Sequence, residues 1–376
     1  KGERNMTRYE LAQIVARLMA KEDQLNAEQQ ATLDKLAGEY ADELANLGVR
    51  VSNLEKKVGN LYWSGDARMR YTASSLKDKK DAYDGRIRLN VKGQVNEATY
   101  VQGQFVNNMN FKDEASSNTT MAQIYVNHNF NKNVAVRLGR QPIVFGNQGG
   151  WQYNGLEGYD GAQASYNNGK LSLTTGFGQL NASDWGDEKT DAGVVTSYGV
   201  TGTDMYFAKG AYDFGFAKLG ADYVKFQGDT NSTDHYSAGQ ELYGINLTIP
   251  VQKFNVFGEY WKNTTIGDYD TAWNAGLSYG KADWKKAGTW NLSVAYNDVD
   301  YGAYFGGGTW HNDMLKNLNN SKYIEADNLT FWTAIANVTL QKNVQLHAEY
   351  AFAADAEGTD GVDPDDSWSV SLNYKF

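Results

Sequence analysis

Arg86-Ile-Arg-Leu-Asn-Val-Lys-Gly-Gln-Val95 is the segment that decides the fold, because apolar and polar residues alternate along it. Side chains on a β-strand change face at every residue. Such a strand has Ile87, Leu89 and Val91 on one face and arginine, asparagine or lysine on the other. One apolar face and one charged face indicate a sheet that separates lipid from water.

Similar alternating segments follow one another from residue 62 to residue 376, and about sixteen can be counted. Single-chain bacterial transmembrane barrels contain an even number of strands. The connections alternate between short and long, as in barrels whose short turns face the periplasm and whose long loops face outwards. The predicted fold of residues 62–376 is therefore an all-β transmembrane barrel of about 16 antiparallel strands in a bacterial outer membrane. The N-terminal segment would then lie in the periplasm.

Composition excludes several other classes of protein. The 376 residues contain no Cys, which removes disulfides, thiol catalysis and thiolate metal sites. The net charge of −10 argues against nucleic acid as a partner. No run of about 18 apolar residues is present, so helical membrane spans are not expected.

Residues 21–61 follow a seven-residue repeat instead of an alternating one. Apolar residues at the a and d positions of a heptad predict an α-helical coiled coil, here a periplasmic stalk in front of the barrel. Its predicted core residues are Leu33, Tyr40, Leu44, Leu47, Val51, Leu54, Val58 and Leu61. The alternative is one amphipathic helix packed on its own domain. The stalk is preferred because the sequence offers no other soluble core for the helix to cover.

Residues 1–20 contain a short predicted helix that begins near Thr7, with Glu10 placed for a capping box. Thr7-Arg8-Tyr9-Glu10 resembles the Thr-Arg-Ala-Glu signature of the last helix of an S-layer-homology (SLH) domain, with Tyr in place of Ala. This segment is interpreted as the C-terminal remnant of such a domain. The resemblance implies that Thr7, Arg8 and Glu10 belong to a cell-wall-binding motif.

An SLH remnant, a coiled coil and a barrel, in that order, resemble the OmpM-type porins of diderm Firmicutes. The resemblance implies passive diffusion of small hydrophilic solutes and ions, together with tethering of the outer membrane to peptidoglycan through the SLH region. General porins pack as homotrimers, so a homotrimer surrounded by outer-membrane lipid and lipopolysaccharide is expected. A dimer is the alternative, because Val at a with Leu at d favours two-stranded coiled coils. The competing hypothesis is a structural tether whose barrel does not conduct.

Cationic residues recur on the polar faces of the first predicted strands. Charges are costly in lipid, so in a barrel they line the water-filled lumen, where ladders of charge set ion preference. The predicted pore-lining cations are Arg68, Arg70, Arg86, Arg88, Lys92 and Arg137. The alternative is that they only solvate the lumen and pair with nearby acids.

The long connection at 142–159 resembles the third external loop of general porins, which folds into the barrel and narrows it. By this resemblance Glu157 and Asp160 would oppose the arginines across a constriction. The alternative is an ordinary exposed loop.

Catalysis finds no support in the sequence. The four histidines are scattered and form no HExxH motif or Ser-His-Asp arrangement. We therefore predict no enzyme activity, no catalytic or metal site and no cofactor. The acidic loop at 354–365 is interpreted as a solvated loop, with divalent cation binding as the alternative.

Overall fold

A computed structural model describes residues 5–19, 27–48, 59–76, 79–111, 117–147, 149–181, 189–191, 194–197, 204–227, 239–306, 313–318, 326–358 and 362–376. The chain divides into two compact units, residues 1–61 and residues 62–376. The first unit is helical and the second is a β-barrel.

The helical unit contains α1 (Arg8–Met19), α2 (Ala27–Glu39) and a further helical stretch at 41–48. Thr7 and Glu10 cap α1 as the sequence suggests. The Thr7 amide donates to Glu10 Oε2 (2.9 Å) and the Glu10 amide donates to Thr7 Oγ1 (3.2 Å). None of the described helices is long and apolar enough to cross a membrane.

The predicted stalk residues that the structure describes pack within the chain. Ala12 and Val15 of α1 form a small core with Leu33 and Tyr40, and further residues pack on it, among them Leu44 and Leu47. Arg8 of α1 links this helix to the helical stretch at 41–48, because its Nε donates a hydrogen bond to Glu43 Oε1 (2.6 Å). This hydrogen bond lowers the pKa of the Glu43 carboxyl.

Leu61 is not a coiled-coil residue, so that assignment is wrong. It is the first residue of the barrel's first strand and is 51% exposed, because the alternating pattern replaces the seven-residue repeat at this point. Val51, Leu54 and Val58 lie outside the described residues. The described helices, α1, α2 and the stretch at 41–48, are short and do not show a coiled-coil stalk.

The second unit confirms the predicted barrel. Among the described residues its strands are β1 (Leu61–Ala73), β2 (Ala82–Gln94), β3 (Thr99–Asn110), β4 (Ser117–Asn129), β5 (Val134–Phe145), β6 (Tyr153–Asn167), β7 (Leu171–Leu180), β8 (Lys189–Asp191), β9 (Val194–Ser197), β10 (Asp204–Asp213), β11 (Lys218–Gln227), β12 (Glu241–Val251), β13 (Phe254–Asn263), β14 (Thr271–Gly280), β15 (Trp290–Asp300), β16 (Asn328–Gln341), β17 (Val344–Glu357) and β18 (Ser367–Lys375).

Sixteen of these strands form one closed sheet, while β8 and β9 make a separate hairpin. Each described strand pair is antiparallel. Paired strands are neighbours in the chain, except where β1 pairs with β18 to close the barrel and where β7 pairs with β10. The closure joins β1 to β18, with Met69 opposite Leu372. Gly65 and Phe376 extend it by exchanging two backbone hydrogen bonds of 2.8 and 3.0 Å.

Asparagine side chains shape the short turns between strands. Asn131 Oδ1 accepts from the amides of Asn133 and Val134 (2.8 and 3.0 Å), and Asn168 Oδ1 accepts from those of Lys170 and Leu171 (3.0 and 2.8 Å). These side chains satisfy amides that the strand ladder leaves without a partner. The short turns therefore follow from local sequence.

The two faces of the barrel differ as the alternation predicts. Outward positions carry exposed apolar side chains such as Leu138 (56%) and Phe177 (58%). Outward aromatic rings meet at both ends of the strands, for example Tyr71 with Trp368 (4.8 Å between centroids) and Tyr279 with Trp290 (5.4 Å). Aromatic girdles above and below an apolar band are typical of barrels in lipid.

Candidate functional site in the barrel lumen

Four inward arginines on β1 and β2, Arg68, Arg70, Arg86 and Arg88, form a continuous surface that we name the arginine wall. Near the outer end of these strands, Arg68 Nη2 lies 3.2 Å from Asp84 Oδ1, and Arg70 Nε lies 2.8 Å from Asp84 Oδ2. One carboxylate therefore serves two guanidinium groups at this end.

The inner half of the wall repeats the arrangement around Asp66. Arg88 Nε lies 2.7 Å from Asp66 Oδ2, and Arg86 Nη2 lies 3.5 Å from Asp66 Oδ1. Four guanidinium groups thus share two carboxylates, which leaves an excess of two positive charges. The four arginines thus pair with nearby acids and also carry excess positive charge along the wall. Features of both alternatives predicted from the sequence are therefore present on this surface.

Lys92 and Arg137 extend the cationic face over neighbouring strands. Lys92 Nζ lies 4.4 Å from the ring centroid of Tyr100, and the Arg137 guanidinium lies 5.0 Å from that of Tyr125. Arg137 Nε also donates to Asn127 Oδ1 (3.1 Å). Both cations are therefore held by aromatic and amide groups, with no acid bonded to them among the described residues.

The segment of residues 146, 147 and 149–152, which we name the inward loop, lies inside the barrel. The Gly146 amide donates to Asp222 Oδ2 (2.9 Å), and the Asn147 amide donates to Glu259 Oε2 (2.6 Å). Asn147 Nδ2 also donates to Thr248 Oγ1 (2.7 Å). Because Asp222 and Glu259 are buried on the inner faces of β11 and β13, the loop that carries these donors fills part of the lumen.

A second connection, residues 301–306 after β15, packs against the inward loop. Gln152 Nε2 donates to the carbonyl of Ala303 (2.6 Å), and the amide of Phe305 donates to Gln152 Oε1 (3.2 Å). Trp151 Nε1 donates to Asn297 Oδ1 on β15 (3.1 Å). The two loops therefore form one hydrogen-bonded body.

Aromatic side chains seal this body against the barrel wall. Phe305 lies at its centre, with its ring 5.6 Å from that of Phe145, 5.3 Å from Tyr153 and 5.4 Å from Phe226. Trp261 completes the group at 6.2 Å. All five side chains are fully buried, so this side of the lumen is dry.

Asp160 is not where the resemblance placed it. Its carboxylate binds Arg140 Nε and Nη2 (both 2.7 Å), and Asn181 Nδ2 donates to it as well (2.9 Å). Arg140 pairs with Asp160 across β5 and β6 on the outward face that also carries Leu138. The prediction that Asp160 opposes the arginine wall is therefore wrong.

Glu157 belongs to the same outer cluster through its backbone, since its carbonyl accepts from Asn181 Nδ2 (3.0 Å). The resemblance placed Glu157 and Asp160 at an inward-folding loop, but both residues belong to β6. A register shift follows Gln141, and Gly158 has a φ of 49°. These irregularities lie within β5 and β6, so the two strands stay paired over residues that the resemblance assigned to a loop.

The two acids that bind the inward loop, Asp222 and Glu259, are not among the residues predicted from the sequence. The sequence nevertheless contains a pattern that could have identified them. Each is the only acid of its strand, and each is followed by an outward tyrosine, Tyr223 or Tyr260. Period-two counting from these tyrosines places both carboxylates inwards.

One contact joins two long connections at the outer end of the barrel. Asp313 Oδ1 accepts from the amide and the hydroxyl of Ser75 (2.8 and 2.7 Å). Lys79 Nζ lies 3.6 Å from the other carboxylate oxygen. Burial acts to raise the pKa of Asp313, but hydrogen bonds from Ser74 and Ser75 and the charge of Lys79 hold it below its ordinary value.

Comparison with solved structures places the fold among porins. Pseudomonas putida OprB superposes with a TM-score of 0.58 at 10% identity, covering 88% of this chain and 96% of OprB. Salmonella typhi OmpF in complex with daunomycin gives 0.53 at 15% identity, covering 85% and 98%. A Rhodopseudomonas blastica porin triple mutant gives 0.52 at 10% identity, covering 84% and 100%. At such identities the likeness shows the fold alone. No protein family model and no curated protein sequence matches the chain.

Proposed function

We propose that the protein is an outer-membrane porin through which small hydrophilic solutes and ions diffuse passively. The observation that carries this proposal is the closed sixteen-stranded barrel, apolar outside and lined inside by a wall of charged arginines. A lumen lined by charged side chains is typical of barrels through which water-soluble solutes pass. Its likeness in fold to OprB and OmpF supports the same proposal.

The arginine wall gives this pore a preference for anions. Four arginines share two aspartates, and Lys92 and Arg137 add charge on the same side of the lumen. An excess of positive charge along one side of the lumen concentrates anions there. Chloride should therefore carry more current than potassium.

The test is the reversal potential of single pores in a potassium chloride gradient. Replacing Arg68, Arg70, Arg86 and Arg88 by Ser should move that potential towards cation preference. A matched control removes four lysines from the exposed short turns: Lys132, Lys170, Lys253 and Lys342. An unchanged potential in the arginine variant would remove the wall from the selectivity mechanism.

A non-conducting tether is the second candidate, because the inward loop and the aromatic cluster occupy part of the lumen. Planar-bilayer recording separates the two functions. Steps of conductance from purified protein support the pore, and their absence at all voltages leaves only the tether.

The helical unit has a mechanical role in this proposal. The resemblance of Thr7-Arg8-Tyr9-Glu10 to the SLH signature supports binding to peptidoglycan through Thr7, Arg8 and Glu10, with residues 21–60 as the periplasmic connection. We place a homotrimer in lipid and lipopolysaccharide, as for general porins. Native mass measurement in detergent tests the subunit number, and loss of wall binding on deletion of residues 1–60 tests the tether.

A further inference from the structure

A polar cavity of about 450 Å³ opens beside the outer end of the arginine wall. It lies where β1 and β3 end and where β2 and β4 begin. Residues that line it include Arg68, Arg70, Asp84, Asn108, Asn110 and Asn118. Its volume falls within the range of pockets that hold small ligands.

Among the described residues that line this cavity, positive charge exceeds negative charge. Arg70 uses only its Nε to reach Asp84, so its two Nη groups can serve another acceptor. Arg68 stands behind it, and its buried Nε has no hydrogen-bond partner within the described residues. Guanidinium groups bind carboxylates through two parallel hydrogen bonds, which favours a planar anion over a spherical one.

Side-chain amides provide the other half of the lining. Asn108 and Asn118 make no side-chain hydrogen bond to any described residue. Each amide offers two donors and one acceptor, and Asp84 adds acceptors. Hydroxyl groups both donate and accept, so a ligand with several hydroxyls satisfies this mixed lining.

We infer that the cavity binds a small polyhydroxylated carboxylate, of the class of sugar acids, before it passes along the arginine wall. This inference rests on the proposed porin function, because the barrel's orientation in the membrane makes the cavity the outer mouth of the pore. The carboxylate binds Arg70, and the hydroxyls bind the asparagine amides and Asp84.

Titration calorimetry of the purified full chain in detergent tests the inference, with gluconate, glucose and acetate as probes. Gluconate should bind at one saturable site, at least tenfold more tightly than glucose or acetate. Arg70→Gln should weaken gluconate about tenfold to a hundredfold, because it removes a charged hydrogen-bond pair. Asn108→Leu should weaken gluconate and leave acetate unchanged. Lys92→Gln, which removes the same charge at the inner end of β2, should retain the affinity for gluconate.

Equal binding of gluconate and glucose would overturn the carboxylate assignment, and equal binding of gluconate and acetate would overturn the hydroxyl assignment. Loss of affinity in Lys92→Gln as large as in Arg70→Gln would place binding elsewhere in the lumen. Bilayer recordings separate this inference from the pore itself. Conductance without gluconate binding refutes only the site, whereas binding without conductance refutes only the pore.

Discussion

Glu259 is predicted to hold the inward loop inside the lumen, and Glu259→Leu is the perturbation that tests it. The carboxylate is 4% exposed and accepts from the Asn147 amide (2.6 Å) and from Trp261 Nε1 (2.9 Å). Only the first of these bonds holds the loop. Leaving the Asn147 amide without its acceptor costs about 1–3 kcal/mol, so the change shifts the balance between docked and released loop by roughly 5-fold to 150-fold.

We expect single pores of Glu259→Leu to conduct more current and to admit larger neutral sugars in liposome-swelling assays. The matched control is Glu349→Leu, because Glu349 is also a buried inward carboxylate (3% exposed) and it bonds to His347 of the same strand. Retained heat-modifiable mobility on gels shows that both variants form barrels. A conductance equal in the two variants and the parent would refute the role of Glu259 in docking the loop.

Three further predictions concern backbone strain, pH and the helical unit. Gly139 has a φ of 121°, and an added Cβ would lie 2.4 Å from the Ile124 carbonyl oxygen. Gly139→Ala should therefore lower the free energy of unfolding of the barrel by about 1–3 kcal/mol, measured by urea unfolding. Gly210→Ala is the control, because an added Cβ there would lie 3.2 Å from its nearest neighbour. The pKa of Asp313 is depressed in the folded state, so its contribution to stability is present above the ordinary carboxyl pKa and is lost as the pH falls through the folded value. Protease cleavage near Ser74 and Ser75 should therefore rise in acid, and Asp313→Asn should abolish this pH dependence. Leu33 is 4% exposed, so Leu33→Ala should destabilise the helical unit by about 2 kcal/mol or more and speed hydrogen exchange in α1, while exchange in the barrel strands stays unchanged.

The barrel could be predicted from the sequence because its signal is local and redundant. Ile87, Leu89 and Val91 show the same alternation that the other strands show, and the pleat converts it directly into two faces. Each hairpin closes with its own turn residues, as Asn131 and Asn168 do. Strand number and orientation then follow from repetition.

The interior could not be predicted in the same way, because it depends on contacts between residues far apart in the chain. Asn147 reaches Glu259 across 112 positions, and Trp151 reaches Asn297 across 146. Asp160 was misplaced for another reason, since its position was taken from a resemblance to the third loop of general porins, whereas here it lies in β6 and pairs with Arg140. The heptad pattern failed at Leu61 because a helical repeat and a strand pattern overlap there for a few residues.

The two sides of the lumen serve different purposes. One side packs the inward loop and Phe305 into a dry aromatic body, which fixes the loop by burial and by the carboxylates of Asp222 and Glu259. The other side keeps the arginine wall, whose charges require water or a charged solute beside them. In the proposed pore, a solute would travel along the guanidinium groups, because the inward loop and buried aromatic rings fill the other side of the lumen. The inward loop would then strengthen the effect of the arginines on a passing ion, because it keeps the ion close to them.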